Sequence, residues 1–454
     1  MIGWAALAIL GLTVAAFAIG RGRAAALAGS HRLHSRPVYH GALGASATLI
    51  LGMGVLAVAA IASAWMLRGA LYDAVPADLG PLSGLERDLI VSDGIAQAEG
   101  RLASREGPGR DAVAATYERL SSLRQWAVSL LALAAALAAA WWALSKVAPG
   151  FRARNMTERV VRGVLITAAA IAVLTTLGIV LSLTGETLGF WSRMGADNFL
   201  FGTHWSPLSG VHSGEMDPDK VGAVPLFVGT LLITLIAMTV AVPVGLLAAV
   251  YLSDYASARF RAVAKPVLEL LAGIPTVVYG FFAAIVVAPF FRDAGGAIGL
   301  TVSSESALAA GVVMGIMIIP FVSSLSDDVI NAVPQSLRDG ALGLGATKAE
   351  TIRNVVLPAA LPGIVSAILL AVSRAIGETM IVVMAAGQAA NLTANPLEAV
   401  TTVTVQIVAL ITGDTEAATA AGPAFSLGFT LFCVTLVFNV LALWLVRKYR
   451  ERYD

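Results

Sequence analysis

A chain of 454 residues that is 57% hydrophobic and only 13% charged is unlike a water-soluble protein, in which about 25% of residues are charged. Its formal net charge of +1 gives no indication of a nucleic-acid partner, and none is expected. The single cysteine, Cys433, excludes an intrachain disulfide and a metal site built from several cysteines.

Nine apolar runs predict an all-α protein that crosses a membrane repeatedly. Each run approaches or exceeds the roughly 20 residues that a helix needs to span a bilayer. In chain order the runs cover residues 4–20, 43–67, 126–144, 160–183, 224–252, 267–291, 308–325, 363–387 and 425–446. The first run is short for a span, and the seventh contains a proline, Pro320.

Basic residues are concentrated in every second connecting segment, and cytoplasmic loops of membrane proteins are enriched in lysine and arginine. Residues 21–42 contain four arginines and no acid, and residues 146–162 contain five cations against one acid, Glu158. The alternate segments, 69–125 and 184–222, are richer in acids. We therefore expect a periplasmic N-terminus and a cytoplasmic C-terminus. The periplasmic insert at 69–125 should form an amphipathic helix or hairpin without chemistry of its own.

The segment between the seventh and eighth runs is longer than a connection requires, and reads VPQSLRDGALGLGATKAETIRNVVLPAALPG over residues 333–363. Thr347 and Glu350 have the spacing of a capping box, which predicts the start of a helix. This helix should end at Pro358, since proline does not continue a helix. An earlier helix over 334–342 should end in a glycine turn. Two short helices joined by a tight turn predict a rigid docking element for a soluble partner.

This segment resembles the EAA motif in permease subunits of bacterial ABC importers, where EAA is followed after three residues by glycine and after nine more by I-x-L-P. The corresponding positions here, with aspartate for glutamate and glycine for the first alanine, are Asp339, Gly340, Ala341, Gly345, Leu357 and Pro358. The resemblance implies a coupling loop at 326–362, whose helix enters a cleft of an ATPase subunit. The chain has no GxxxxGK[ST] phosphate loop. We therefore expect a non-catalytic subunit that binds no cofactor, with ATP and magnesium used by the partner ATPase.

The eighth run contains an arginine and a glutamate, in the stretch SRAIGETM at residues 373–380. Arg374 is the twelfth residue of the run, which predicts a position near the bilayer midplane, where an ionised side chain costs about 2.5–3.5 kcal/mol. Arg374 and Glu378 are four residues apart and should share one helix face, otherwise lined by small residues. Two interpretations stay open: a charge pair that fixes helix packing, or an anion pathway in which the guanidinium binds phosphate oxygens.

The stretches KPVLELLAGIPTVVYGFF at 265–282 and SRAIGETM are similar to those of PstC-type permease subunits of phosphate ABC importers, within a resemblance that covers about residues 155–454. This implies a six-helix MetI-like core at 151–454, preceded by an N-terminal extension, residues 1–150, with about three transmembrane helices. It also implies that Arg374 and Glu378 line the phosphate path. The implied partners are a PstA-type permease, a PstB-type ATPase dimer, a PstS-type periplasmic binding protein, inorganic phosphate and membrane lipid.

The function implied by this resemblance is import of inorganic phosphate across a bacterial inner membrane by alternating access. Three alternatives stay open. One is an importer of another oxyanion, such as phosphonate, sulfate or molybdate. The second is a membrane scaffold that senses phosphate without net transport. The third is a secondary carrier, which leaves the spacing of the coupling loop unexplained.

Overall fold

The computed structural model describes residues 2–29, 32–76, 84–101, 109–207, 217–413 and 417–449. These residues form helices and connections, with no β-strand among them and one isolated antiparallel bridge between Trp205 and Val221. The first five helices are α1 (Ile2–Ala28), α2 (Pro37–Asp73), α3 (Gly84–Ala98), α4 (Arg110–Ser145) and α5 (Ala153–Met194). The others are α6 (Ala196–Phe201), α7 (Val224–Val250), α8 (Ala258–Ala272), α9 (Thr276–Phe282), α10 (Ala288–Ala297), α11 (Ala307–Asn331), α12 (Gln335–Gly343), α13 (Lys348–Thr351), α14 (Leu357–Ile376), α15 (Met380–Ala385), α16 (Val403–Thr412) and α17 (Ala417–Tyr449).

Within the described ranges, nine helical segments are long and apolar enough to cross a membrane, so the predicted all-α polytopic fold and number of spans are confirmed. By packing, the chain divides into two units, residues 1–174 and 175–454, and the division falls inside α5. The boundary near residue 150 rests on the extent of the family resemblance and stays a prediction.

Glycines allow α1, α2 and α4 of the first unit to pack closely. A Cβ atom on Gly41 would lie 2.7 Å from the carbonyl oxygen of Phe17, and one on Gly52 would lie 2.8 Å from the Cβ atom of Ala136. Small residues at such crossings let helix backbones approach, which is a common basis of packing between membrane helices. The buried side chains between the three helices include Ile9, Leu56 and Ala132.

The insert between the second and third spans is a hairpin of α3 and the first turns of α4, as predicted. Val91 and Val113 are buried in its core, and Gly94 permits the close approach of Val113. An ion pair of 2.7 Å joins Arg110 to Asp93. The hairpin is therefore held by apolar contacts as well as by charge.

The second unit is organised around α7 and α11, which pack along most of their length. Gly311 and Gly315 of α11 meet Ile236 and Ala237 of α7, at distances that leave no room for a larger side chain. The surrounding core contains buried residues of α11, α14 and α15. This core holds the elements that carry SRAIGETM.

The sixth predicted run, 267–291, is not one helix. The first helix of the run, α8, ends at Ala272 with Gly273 as its C-cap, and α9 begins after Pro275. The residue before a proline avoids the helical conformation, which explains the break at Ile274. The Tyr279 hydroxyl donates a hydrogen bond of 3.0 Å to the carbonyl oxygen of Leu271 in the last turn of α8, and this carbonyl also accepts from the Ile274 N–H at 3.3 Å.

The eighth predicted run, 363–387, is displaced and interrupted. The predicted helix end at Pro358 is wrong, because α13 continues through a π turn, Ile352–Val356, into α14. A π turn changes the hydrogen-bond register, and Pro358 then lies in the first turn of α14, where its missing N–H costs little. The other end also differs, since α14 stops at Ile376 and Gly377 follows it as the C-cap.

Candidate translocation site and coupling loop

Arg374 lies in the last turn of α14. The sequence predicted a position halfway along a span, and this prediction is wrong because the helix ends early, at Ile376. The Arg374 side chain is exposed, and its guanidinium carbon lies 5.5 Å from the ring centroid of Phe321 on α11. None of the ion pairs among the described residues involves Arg374. The cation is therefore oriented by an aromatic face, and no described carboxylate compensates its charge.

Glu378 lies beyond the end of α14, so the predicted shared helix face with Arg374 is wrong. One oxygen of its carboxylate accepts hydrogen bonds from the backbone N–H groups of Met380, at 3.0 Å, and Ile381, at 3.4 Å. These amides belong to the first turn of α15, where a carboxylate satisfies free N–H groups and the helix dipole favours negative charge. The Thr404 hydroxyl donates a hydrogen bond of 2.8 Å to the backbone carbonyl of Glu378. Glu378 therefore fixes the start of α15.

The coupling loop contains the short helix α12, the glycine turn and the helix start at Thr347 that the sequence predicts, although the second helix continues into α14. Gly345 has a φ angle of +91°, a conformation that glycine adopts without the strain of a Cβ atom. Both halves of the capping box form: the Thr347 hydroxyl accepts from Glu350 N–H at 3.3 Å, and the Glu350 carboxylate accepts from Thr347 N–H at 2.8 Å.

The turn between α12 and α13 presents apolar side chains on its exposed surface. Leu344 is 92% exposed and Leu342 is 48% exposed. Asp339 is also exposed and accepts a hydrogen bond of 3.0 Å from the Gln335 amide. Of the six predicted coupling residues, Asp339, Gly340, Ala341 and Gly345 lie on or beside this turn, while Leu357 and Pro358 begin α14.

Two family models match the chain. Residues 241–451 match the binding-protein-dependent transport system inner membrane component, and residues 6–175 match a phosphate ATP-binding cassette transporter family. The phosphate transport system permease protein PstC of Xylella fastidiosa is 35% identical over 272 residues, which are 56% of this chain and 80% of that protein. The chain belongs to the PstC family of ABC permeases. Family membership and the nine apolar helices make it a multi-pass inner membrane protein.

Other similarities are to proteins of ABC transporters. The probable ABC transporter permease protein YqgH of Bacillus subtilis is 33% identical, over 54% of this chain and 76% of that protein. Among solved structures, a chain of a bacterial alginate ABC transporter has a TM-score of 0.44 and 16% identity, and the match covers 65% of this permease and 98% of that chain.

A buried ion pair that the sequence analysis did not identify connects the coupling helix α12 of this permease to its membrane helices. The Arg338 guanidinium pairs with Asp254, in the π turn that ends α7, and the two side chains are 12% and 9% exposed. Arg338 also donates a hydrogen bond of 2.8 Å to the carbonyl oxygen of Ile330 near the end of α11. One arginine therefore binds the coupling helix to both α7 and α11.

A second polar cluster lies at the same end of α11 and was also missed. The Asp327 carboxylate is 3% exposed and accepts two hydrogen bonds from Arg261, at 2.9 and 3.0 Å, and one from Lys265, at 2.9 Å. The bond to Asp327 raises the pKa of Lys265, so this cation stays protonated. Lys265 also pairs with Asp328, at 3.1 Å.

The sequence contained a signal for this second cluster. Arg261 and Lys265 are four residues apart on α8 and therefore share a face, while Asp327 and Asp328 end an apolar helix. The sequence could not show that α8 packs against α11 and so brings these two cations to the two acids.

Proposed function

We propose that this permease is one of two transmembrane subunits of an ATP-driven importer that moves inorganic phosphate from the periplasm to the cytoplasm. The observation that carries the proposal is its 35% identity to a phosphate transport system permease protein over 80% of that protein's length. The match of residues 6–175 to a phosphate transporter family supports the same cargo. ATP and magnesium are used by a separate ATPase, and a PstS-type periplasmic protein delivers phosphate.

Arg374 and Glu378 line the phosphate path, with different roles. The guanidinium of Arg374 has no carboxylate partner in the described chain, so its planar N–H fork is available to phosphate oxygens, which it matches in geometry. The carboxylate of Glu378 is bound to the backbone of α15 and does not neutralise Arg374. Glu378 supports the path indirectly, because its hydrogen bonds fix the start of α15 after the break that separates α15 from α14.

A second permease subunit of the PstA type completes the pathway. Arg374 belongs to a membrane-spanning helix, yet it is exposed on this chain. Ionised groups at such positions face a bundle interior or a water-filled cavity, because exposure to lipid is costly. A neighbouring subunit over this surface supplies the other wall of such a cavity.

The coupling loop docks into a PstB-type ATPase dimer. Leu344, at 92% exposure, and Leu342 form an apolar tip on a turn fixed by Gly345 and the capping box. An exposed apolar tip on a rigid turn suits a cleft in a protein partner, because burial there removes apolar surface from water. Movement of the ATPases would then reach the membrane helices through α12.

Uptake of labelled inorganic phosphate tests the proposal, in cells that lack their own phosphate importers and express the full set of subunits. Arg374→Gln should reduce uptake more than about tenfold, since a charge-assisted hydrogen bond contributes about 1.5–3 kcal/mol. Arg374→Lys should be intermediate, because an ammonium keeps the charge without the fork. The matched control is Arg292→Gln, which removes an exposed arginine of the same unit whose partner, Asp293, is also exposed.

Wild-type uptake by a correctly assembled Arg374→Gln importer would refute the role of Arg374. Uptake of sulfate, molybdate or a phosphonate in place of phosphate would assign a different oxyanion. An assembled complex that transports none of these anions but changes phosphate-dependent gene expression would be a sensing scaffold.

A further inference from the structure

We propose that the first unit binds anionic phospholipid headgroups on a basic face, formed by nine cations at one end of α1, α2, α4 and α5. The basic face consists of Arg21, Arg23, Arg32, Arg36, Lys146, Arg152, Arg154, Arg159 and Arg162. All nine are exposed.

The two chain segments that carry these cations are joined in the fold. The His34 N–H donates a hydrogen bond of 3.0 Å to the carbonyl oxygen of Pro149, and the Arg154 N–H donates one of 3.2 Å to the Ser35 hydroxyl. The Thr157 hydroxyl donates a third, of 3.2 Å, to the carbonyl oxygen of Tyr39. The cations of both segments therefore form one surface, beside an open depression of about 590 Å³ that Arg32 and Arg36 help to line.

The cations of the basic face are almost entirely uncompensated. Arg154 pairs with Glu158 at 2.7 Å, and Glu158 is the only acid in the segments 1–41 and 146–174. Among the described residues, the remaining eight cations form no ion pair with a carboxylate. Like charges held together without acids repel each other, so an external anion stabilises this surface.

Orientation during membrane insertion does not by itself explain this arrangement. Cytoplasmic cations can direct insertion and then pair with acids, as Arg261, Lys265 and Arg338 of the second unit do with Asp327 and Asp254. Apart from Arg154, which pairs with Glu158, the cations of the basic face have no acid partner in the part of the chain that the structure describes. They keep their charge available for a partner outside the chain.

The position of the basic face favours lipid as that partner. The cations lie within a few turns of the ends of membrane-spanning helices: four are in the connections between helices, and five are in the adjoining turns of α1 and α5. Trp141 and Trp142, one turn before the end of α4, are 75% and 40% exposed, and exposed tryptophans mark the level of the headgroups. Clusters of arginine and lysine at this level attract anionic lipids.

Lipid binding by the purified full chain tests the inference, with native mass spectrometry in detergent supplemented with phosphatidylglycerol or with phosphatidylcholine of the same acyl chains. Wild type should retain phosphatidylglycerol selectively, and this retention should fall as salt rises. The triple variant R32Q/R36Q/R152Q should lose at least about tenfold in retention, because each cation near a lipid surface contributes about fivefold. It keeps six cations of the basic face, so the orientation signal remains.

The matched control is R68Q/R87Q/R119Q, which removes three exposed arginines from the opposite end of the same unit. This control should retain phosphatidylglycerol as wild type does. Equal retention of the two lipids, wild-type selectivity in the first triple variant, or an equal loss in both triple variants would each overturn the proposal. Free inorganic phosphate can be added at a concentration equal to that of the lipid phosphate groups. If it displaces the bound lipid, the basic face binds soluble anions, and this result would also overturn the proposal.

Discussion

At the scale of single residues, Glu378 shows where a sequence pattern and a fold diverge. An arginine and a glutamate four residues apart in an apolar run fit one continuous helix. The carboxylate, however, offers the N–H groups of Met380 and Ile381 an acceptor that competes with helix continuation, and Gly377 makes that continuation weak. The outcome depends on the packing of α15 against α9, where Gly280 admits the backbone of Met380, and this contact is not readable from local sequence.

Substitutions at Glu378 should separate its role as a cap from a role for its charge. Glu378→Gln keeps an oxygen that can accept the same backbone hydrogen bonds, so thermal stability and phosphate uptake should stay near wild type. Glu378→Ala removes the acceptor and should lower stability by about 0.5–2 kcal/mol, as loss of a helix cap does. Thermal unfolding of the purified permease and labelled-phosphate uptake measure the two effects. A Gln variant that is stable but fails to transport would show that the negative charge acts on phosphate or on Arg374.

At the scale of helices, the sequence predicted the existence of nine spans correctly and placed two of them poorly. The α7 and α11 spans were found because their apolar runs have few internal break signals. The α8–α9 break at Pro275 and the π turn before Pro358 were missed, although prolines mark both. A proline permits a kink, a break or a register change, and the neighbouring helices determine which of these forms.

The Arg338–Asp254 pair should be required for the coupling helix to move with α7. Arg338→Leu leaves a buried carboxylate unpaired, which typically costs about 3–5 kcal/mol and should loosen α12. Phosphate transported per ATP hydrolysed should fall, while the exposed tip at Leu342 and Leu344 still binds the ATPase. Thermal unfolding, together with uptake and ATPase assays on the reconstituted complex, measures these effects.

Two further variants make this test specific. R338L/D254L leaves no buried charge unpaired and should regain much of the lost stability. Lys348→Ala, on the same loop, removes only an exposed cation 5.1 Å from the Tyr255 ring and should have a small effect on both measurements. If Arg338→Leu unfolds normally and transports phosphate at the wild-type ratio to ATP, the pair does not connect the loop to the membrane helices.

At the scale of the whole molecule, the two packed units have separate cores and differ in how far their cations are paired with acids. The first unit contains α1, α2 and α4 with a buried core of its own, and eight of the nine cations on its basic face form no ion pair with a described carboxylate. In the second unit, cations near the coupling loop are bound to buried acids. Composition predicted the cationic segments of both units, but only the fold shows which cations are neutralised.

A chain that begins at residue 147 should insert and import phosphate without the first three spans. It retains six membrane-spanning segments, all of α5 and four arginines ahead of or within the first turns of α5, which direct that end to the cytoplasm. An even number of spans then places the C-terminus and the coupling loop on the cytoplasmic side, which is the side that the sequence predicts for them in the full chain. The relatives support this size, since 272 matched residues span 80% of the Xylella fastidiosa protein.

Phosphate uptake by the truncated chain, co-expressed with its partner subunits, should therefore reach at least about half of the wild-type rate. Its retention of phosphatidylglycerol should fall, because the truncation removes five of the nine cations of the basic face. The appropriate control is a full-length chain with an internal cleavage site after residue 146, which keeps the first unit present. A truncated chain that inserts, binds its partners and does not transport, beside a cleaved control that does, would show that the first unit takes part in transport. Loss of transport in both would instead indicate that α5 must be covalently continuous with α4.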